Sequence, residues 1–198
     1  LHEFLPNSDL EIANTAKMMQ IDKNQLIERI KDLTEFNPML GTRGVRLGVV
    51  MPEIYEMQAK AIFLATIEVN KIYKTKVVPE IMIPLVSANK EVDLVKKRIE
   101  KVLKEIQKED SITIEYLLGV MVETPRAALR AGDIARSSEF LSFGTNDLTQ
   151  TTLGLSRDDM GLFYDEYQRK EIYHKNPFAS LDKTGVGKLV SYASHKGR

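Results

Sequence analysis

The chain has 198 residues, 43% of them apolar, with 28 Lys and Arg against 28 Asp and Glu for a formal net charge of zero. That is enough for one medium domain with its own core, without the basic footprint that nucleic acid or an anionic membrane surface calls for. Cysteine is absent, which excludes a disulfide framework, a thiolate zinc site and a cysteine nucleophile within these residues, and no run approaches the roughly 18 apolar residues of a membrane span.

The opening LHEFLP has no basic region ahead of an apolar stretch, so it does not read as a secretory signal. Leu1 at one end and KGR at the other read as the ends of a piece of a longer chain. Ser8 and Glu11 form a capping box that predicts a helix over 9–20. Leu26, Ile27, Ile30 and Leu33 mark one face of a second helix over 22–35. The stretch FNPMLGTRGVRLG (36–48) is rich in Gly and reads as a loop running into a short strand. Pro52 suits the first turn of a helix to about 72, and VVPEIMIPLV (77–86) reads as a buried strand. A helix follows over 90–108, whose lysine-rich side is a solvated face rather than a binding patch.

YLLGVMVE (116–123) is a continuous apolar strand ending at Glu123, after which Thr124 and Pro125 form an N-cap and N1 pair for a helix to about 132. EFLSFGTND (139–147) is the next strand and turn, and helices are predicted over 147–153, 159–172 and 183–196. Strands alternating with helices predict a parallel α/β sheet covered on both faces, with about four strand units. A closed (β/α)8 barrel needs about 250 residues. The pattern therefore fits either part of such a barrel or a small open sheet.

Chemistry concentrates where these strands end. Glu123 and Asp147 each follow an apolar strand and lie about one βα unit apart, which brings them to the same rim of neighbouring strands. Two carboxylates there could share a cation, and an all-oxygen set favours Mg²⁺ or Mn²⁺ over zinc. They could equally be helix caps, although Thr124 is already the better cap of its helix. Gly144, Thr145 and Asn146 precede a helix start, where free N–H groups favour an anion; a plain turn reads as well. Arg43 and Arg46 lie among glycines that leave room for a guanidinium to clamp a phosphate, or else they are ordinary surface arginines. His2, His174 and His195 show no partner pattern and read as solvated.

The segments NPMLGTRGVRLGVVMPEIYEMQAKAIFLA, IMIPLV, GVMVETPRAAL and FLSFGTNDLTQTTLGLSRDD together resemble the pyruvate, phosphate dikinase family, in its C-terminal phosphoenolpyruvate-binding domain. The resemblance runs over essentially the whole chain. It implies part of a (β/α)8 TIM barrel with terminal strands missing, in a cytoplasmic or organellar homodimer. A swivelling phosphohistidine domain and a nucleotide-binding domain would lie outside these residues. The implied reaction converts ATP, phosphate and pyruvate to AMP, diphosphate and phosphoenolpyruvate through an enolate. Carried over position by position, Glu123 and Asp147 match Mg²⁺ ligands, Gly144, Thr145, Asn146 and Asp147 a substrate-binding turn, and Arg43 an arginine that holds the transferring phosphoryl group. The family's acid/base cysteine, in a G-x-C-G-x-H-G motif, and two further substrate arginines have no counterpart in these residues, so the chain alone is expected to be inactive. A phosphoenolpyruvate synthase-type barrel and a non-catalytic module that self-associates through open sheet edges are the competing expectations.

Overall fold

The computed structural model describes residues 1–110 and 113–198. The Ser8 capping box forms on both sides and starts helix α1 (Asp9–Met19), while the Asp22 carboxylate caps α2 (Lys23–Leu33), so both helices follow their local start signals. The predicted strand in GTRGVRLG is instead a short helix, α3 (Val45–Val50). Gly44 turns the chain sharply at φ +55° and ψ −137°, Val45 N–H then donates to Pro84 O at 2.9 Å, and Val45 is fully buried. Tertiary docking thus overrides the β-branched composition of the segment. Pro52 occupies the first turn of α4 (Pro52–Tyr73) as its fixed φ favours.

Strand β1 (Glu80–Ile83) is shorter than its apolar run. Pro84 has no N–H to continue a ladder, and Leu85 follows in the left-handed region at φ +56°. Helix α5 (Asn89–Asp110) leads to β2 (Leu117–Val122), and the short helices α6 (Pro125–Leu129) and α7 (Ala131–Ile134) lead to β3 (Phe140–Phe143). The one predicted helix to 132 is thus broken at Arg130, whose backbone leaves helical geometry. The three strands are parallel in the order β1-β2-β3, with Ile83 opposite Val120 and Val122 opposite Phe143. This is a partial TIM-barrel-like arrangement, open at β1 and β3. It has three strands among the described residues rather than about four, because the segment expected to supply the fourth is α3.

Leu118, Gly119 and Val120 are buried in succession, so both faces of the central strand are covered. On one side α4 packs on α5, joining Phe63 and Ile67 to Val95, Ile99 and the strand residues Ile83 and Leu118 in one core. Phe63 meets Tyr116 edge to face, with centroids 5.4 Å apart. Beyond β3 come α8 (Thr145–Leu153), α9 (Tyr164–Arg169) and α10 (Val186–Lys196), the last packed on α6 and α7. The predicted helix over 159–172 is interrupted at Phe163, and α8 begins two residues ahead of Asp147 rather than at it. Among the described residues no helix is long and apolar enough to cross a membrane.

A Cβ at Gly44 would stand 2.7 Å from the Leu85 Cβ and 3.1 Å from Pro84 O, on a backbone conformation that L side chains rarely adopt. Gly44→Ala is expected to destabilise the chain by about 2–3 kcal/mol, read from urea unfolding; a loss under about 0.5 kcal/mol would mean the turn tolerates a side chain.

Candidate functional site

Parallel pairing fixes the geometry of the rim. Val122 stands opposite Phe143, so the next residues, Glu123 and Gly144, leave their strands side by side, and Gly144 N–H extends the ladder to Val122 O at 3.2 Å. The two carboxylates expected to share a rim therefore emerge from neighbouring strands, Glu123 directly and Asp147 from the third residue of α8. A Cβ on Gly144 would lie 2.2 Å from Glu123 Oε2. The glycine is thus the space into which the carboxylate packs.

Glu123 is only 7% exposed and makes no ion pair among the described residues. It does not cap α6; Thr124 does, accepting Ala127 N–H at 3.1 Å. Glu123 Oε1 instead accepts the Leu85 N–H at 2.6 Å. Burial pushes the Glu123 carboxyl above the ordinary carboxylate range; the Leu85 N–H opposes this, the Asp147 charge adds to it and the Arg43 charge opposes it. Asp147 is not a helix cap either, since the N-cap position of α8 is Gly144 and no side chain caps it. Its Oδ1 accepts from Arg43 Nη1 at 2.7 Å, across 104 residues of chain. The Arg43 side chain is 38% exposed and that of Asp147 15%, so the pair contributes about 1 kcal/mol or less to stability.

Arg43 Nη1 also donates to Met39 O at 3.2 Å. Among the described residues Nε and Nη2 have no protein partner and remain available to an anion. Arg46 has a different role from the phosphate clamp its surroundings allowed: its Nη1 donates to Leu40 O and Gly41 O and ties the loop to itself. His2 is not merely solvated, because its Nδ1 accepts the Glu35 N–H at 3.0 Å.

A cleft of about 690 Å³ opens beside the ion pair and is lined by Arg43, Asn146, Asp147, Gln150 and Met39, among others. Of the predicted residues it takes in Arg43, Asn146 and Asp147. Glu123, Gly144 and Thr145 are not part of its lining; Glu123 is buried and Thr145 is exposed. Sequence reasoning missed Gln150, buried and one helical turn past Asp147, whose Oε1 accepts the Arg157 N–H at 2.7 Å. It also missed Arg157, whose guanidinium reaches Asn146 Oδ1 at 3.4 Å. The i, i+3 spacing from Asp147 could have marked Gln150. The Leu85 N–H is a backbone group in an apolar run and leaves no such signal.

The donor set suits a divalent cation that prefers oxygen. Glu123 is a buried carboxylate without a counter-charge, and Asp147 has one oxygen not engaged by Arg43. Among the described residues no three His, Cys, Asp or Glu side chains form a ready cage, so two carboxylates are what this rim offers.

With its carboxyl raised, Glu123 binds a proton more tightly in the folded chain than in the unfolded one. Without metal its contribution to stability is therefore fully present below the unfolded carboxylate pKa and declines as pH rises through the folded value. Glu123→Gln keeps an acceptor for Leu85 N–H and cannot ionise. Unfolding free energies measured against pH are expected to show the parent losing stability relative to this variant on going from acid to neutral pH. A constant difference across that range would mean that burial does not burden the charge.

Comparisons with known proteins agree with this architecture. A profile for the family described as PEP-utilising enzyme, PEP-binding domain, matches residues 11–198. The chain is 55% identical over 198 residues to the pyruvate, phosphate dikinase of Rhizobium meliloti (strain 1021), covering all of this chain and 22% of that protein. It is 50% identical over 198 residues to the pyruvate, phosphate dikinase of Clostridium symbiosum, covering all of this chain and 23% of the relative. To pyruvate, phosphate dikinase 1, chloroplastic, of Arabidopsis thaliana it is 48% identical over 200 residues, covering all of this chain and 21% of the relative. The chain thus spans about a fifth of the length of these relatives. A profile match over residues 11–198, carried on parallel strands with the carboxylates at their C-terminal rim, is decisive: the chain belongs to the family of PEP-binding domains of PEP-utilising enzymes.

Proposed function

We propose that the chain is the pyruvate- and phosphoenolpyruvate-binding part of a pyruvate, phosphate dikinase. The observation that carries this reading is the Arg43–Asp147 ion pair at the wall of the cleft, beside the buried Glu123. The whole reaction would take ATP, phosphate and pyruvate to AMP, diphosphate and phosphoenolpyruvate. The phosphohistidine and nucleotide-binding domains would belong to other parts of a longer protein that works as a homodimer in the cytoplasm or an organelle. The names of the relatives support this reading over a phosphoenolpyruvate synthase-type barrel.

Glu123 and Asp147 would hold Mg²⁺, which when bound offsets the negative charge of the substrate carboxylate and of the enolate oxygen. The remaining work falls to the chain's own groups. Asp147 holds the Arg43 guanidinium in place through Nη1 and leaves Nε and Nη2 for the oxygens of the transferring phosphoryl group. Asn146 faces the cleft with its Oδ1 turned to Arg157, which leaves its amide N–H groups to orient a substrate oxygen. Gly144 supplies the close packing that brings Glu123 to the rim, and Thr145 completes the substrate-binding turn. No thiol is present in these residues to move the methyl proton.

On this reading the isolated chain binds and does not turn over. Titration calorimetry is expected to show binding of oxalate, an enolate mimic, that requires Mg²⁺. Asp147→Ala should abolish it, and the small stability of the ion pair keeps that variant folded. Binding that persists unchanged in Asp147→Ala would remove the metal assignment.

A further inference from the structure

Arg43 sits on a loop, yet its guanidinium must meet Asp147 from 104 residues away. A long side chain on an unsupported loop would lose that pairing to rotamer and backbone freedom. The turn beneath it is held from outside. Thr42 N–H donates to Glu35 Oε1 at 2.6 Å, and a Cβ on Gly41 would fall 2.3 Å from Glu35 Oε2. Both oxygens of Glu35 therefore press into the 41–42 backbone. The turn closes on itself through Gly41 N–H to Pro38 O at 3.2 Å and Arg43 N–H to Gly41 O at 3.0 Å. Arg46 grips the Leu40 and Gly41 carbonyls from the other side.

We propose that Glu35 is a positioning residue for Arg43. Its carboxylate fixes the Gly41–Thr42 turn and so presents the Arg43 guanidinium to Asp147 at the cleft wall. Hydrogen bonding from Thr42, its backbone N–H first, holds the Glu35 carboxyl below the ordinary carboxylate range, as a carboxylate committed to that turn should be. Glu35 also lines the cleft, where a free negative charge would repel an anionic ligand. The Thr42 N–H on Oε1 disperses part of that charge without cancelling it. The neighbouring Phe36 is fully exposed, so no apolar packing at that position does the same work.

The binding half of the test rests on the reading of Arg43 as a phosphoryl- and carboxylate-holding residue; the spectroscopic half does not. In the 198-residue chain, the Arg43 guanidinium ¹⁵N–¹H signals are assigned by their loss in Arg43→Lys. They are expected to be dispersed in the parent, to collapse towards free arginine in Glu35→Ala, and to be retained in Glu35→Gln, which keeps the acceptor. Gly41→Ala should reproduce the collapse by displacing the carboxylate while leaving Glu35 itself intact, and serves if Glu35→Ala does not fold. Mg²⁺-dependent oxalate affinity is expected to fall about tenfold in Glu35→Ala and to fall no further when the same change is made on Arg43→Lys. Unchanged Arg43 signals in both Glu35→Ala and Gly41→Ala would overturn the proposal. So would an equal affinity loss in the parent and Arg43→Lys backgrounds, which would mean Glu35 acts on the ligand or on the fold as a whole. If the parent binds no oxalate, the functional reading fails, and the Arg43 signals still decide whether Glu35 positions it.

Discussion

The hydrogen bond from the Leu85 N–H to Glu123 Oε1 is the constraint from which the rim is built. A carboxylate at 7% exposure with no cationic partner among the described residues loses most of its hydration. One backbone donor at 2.6 Å recovers only part of that loss, which is why the carboxyl stays above its ordinary range. To aim that N–H inward, Leu85 adopts a left-handed backbone, a conformation uncommon for a residue with a branched side chain. Local strain is therefore spent on holding a charge in a place that does not favour it, and such placements mark functional sites more often than structural ones.

Leu85, which serves Glu123, and its neighbour Pro84 also seat the arginine loop. Val45 N–H bonds Pro84 O, and Gly44 packs so closely on Leu85 that it has no room for a Cβ. The end of β1 thus connects two candidate site groups that are remote in sequence, Glu123 through the Leu85 N–H and Arg43 through the loop that precedes Val45. Movement of the Pro84–Leu85 corner would disturb both together, so the acidic and basic halves of the rim share one mechanical support.

This explains what could and could not be read from residues alone. The rim position of Glu123 was legible because an apolar strand ended on a charge just before a self-sufficient Thr-Pro helix start, and that of Asp147 because it followed the end of the next strand, one βα unit after Glu123. The paired strands, long helices and capping box were legible for the same reason: each is specified within a few residues of itself. The GTRGVRLG segment was not, since its helix depends on docking to the distant Pro84 corner, and its Thr, Val and Gly residues are poor helix formers in isolation. The role of Arg46 stayed open between clamp and surface residue because a guanidinium bonding loop carbonyls and one waiting for phosphate have the same local sequence. Glu35 gave no signal: its function lies in which backbone N–H it reaches, and no side-chain pattern encodes that.

Charge balance at the rim then orders events on the proposed reading. Glu123 and Asp147 carry two negative charges when ionised, and Arg43, already committed through Nη1, brings one positive charge. A dicarboxylate or phosphoenolpyruvate would add more negative charge to a partly buried place and would meet repulsion that Arg43 alone does not cancel. A divalent cation on the two carboxylates reverses the sign of the local field before the anion arrives. Cation and anion should therefore bind with positive coupling, each raising the affinity for the other by the same factor. The cation would also remove the acid-side stability advantage of Glu123, because it favours the ionised carboxylate that burial disfavours. On that reading the strain at Leu85, the space at Gly144 and the buried carboxylate are one arrangement, unfavourable in the empty rim and relieved when a cation and an anion bind.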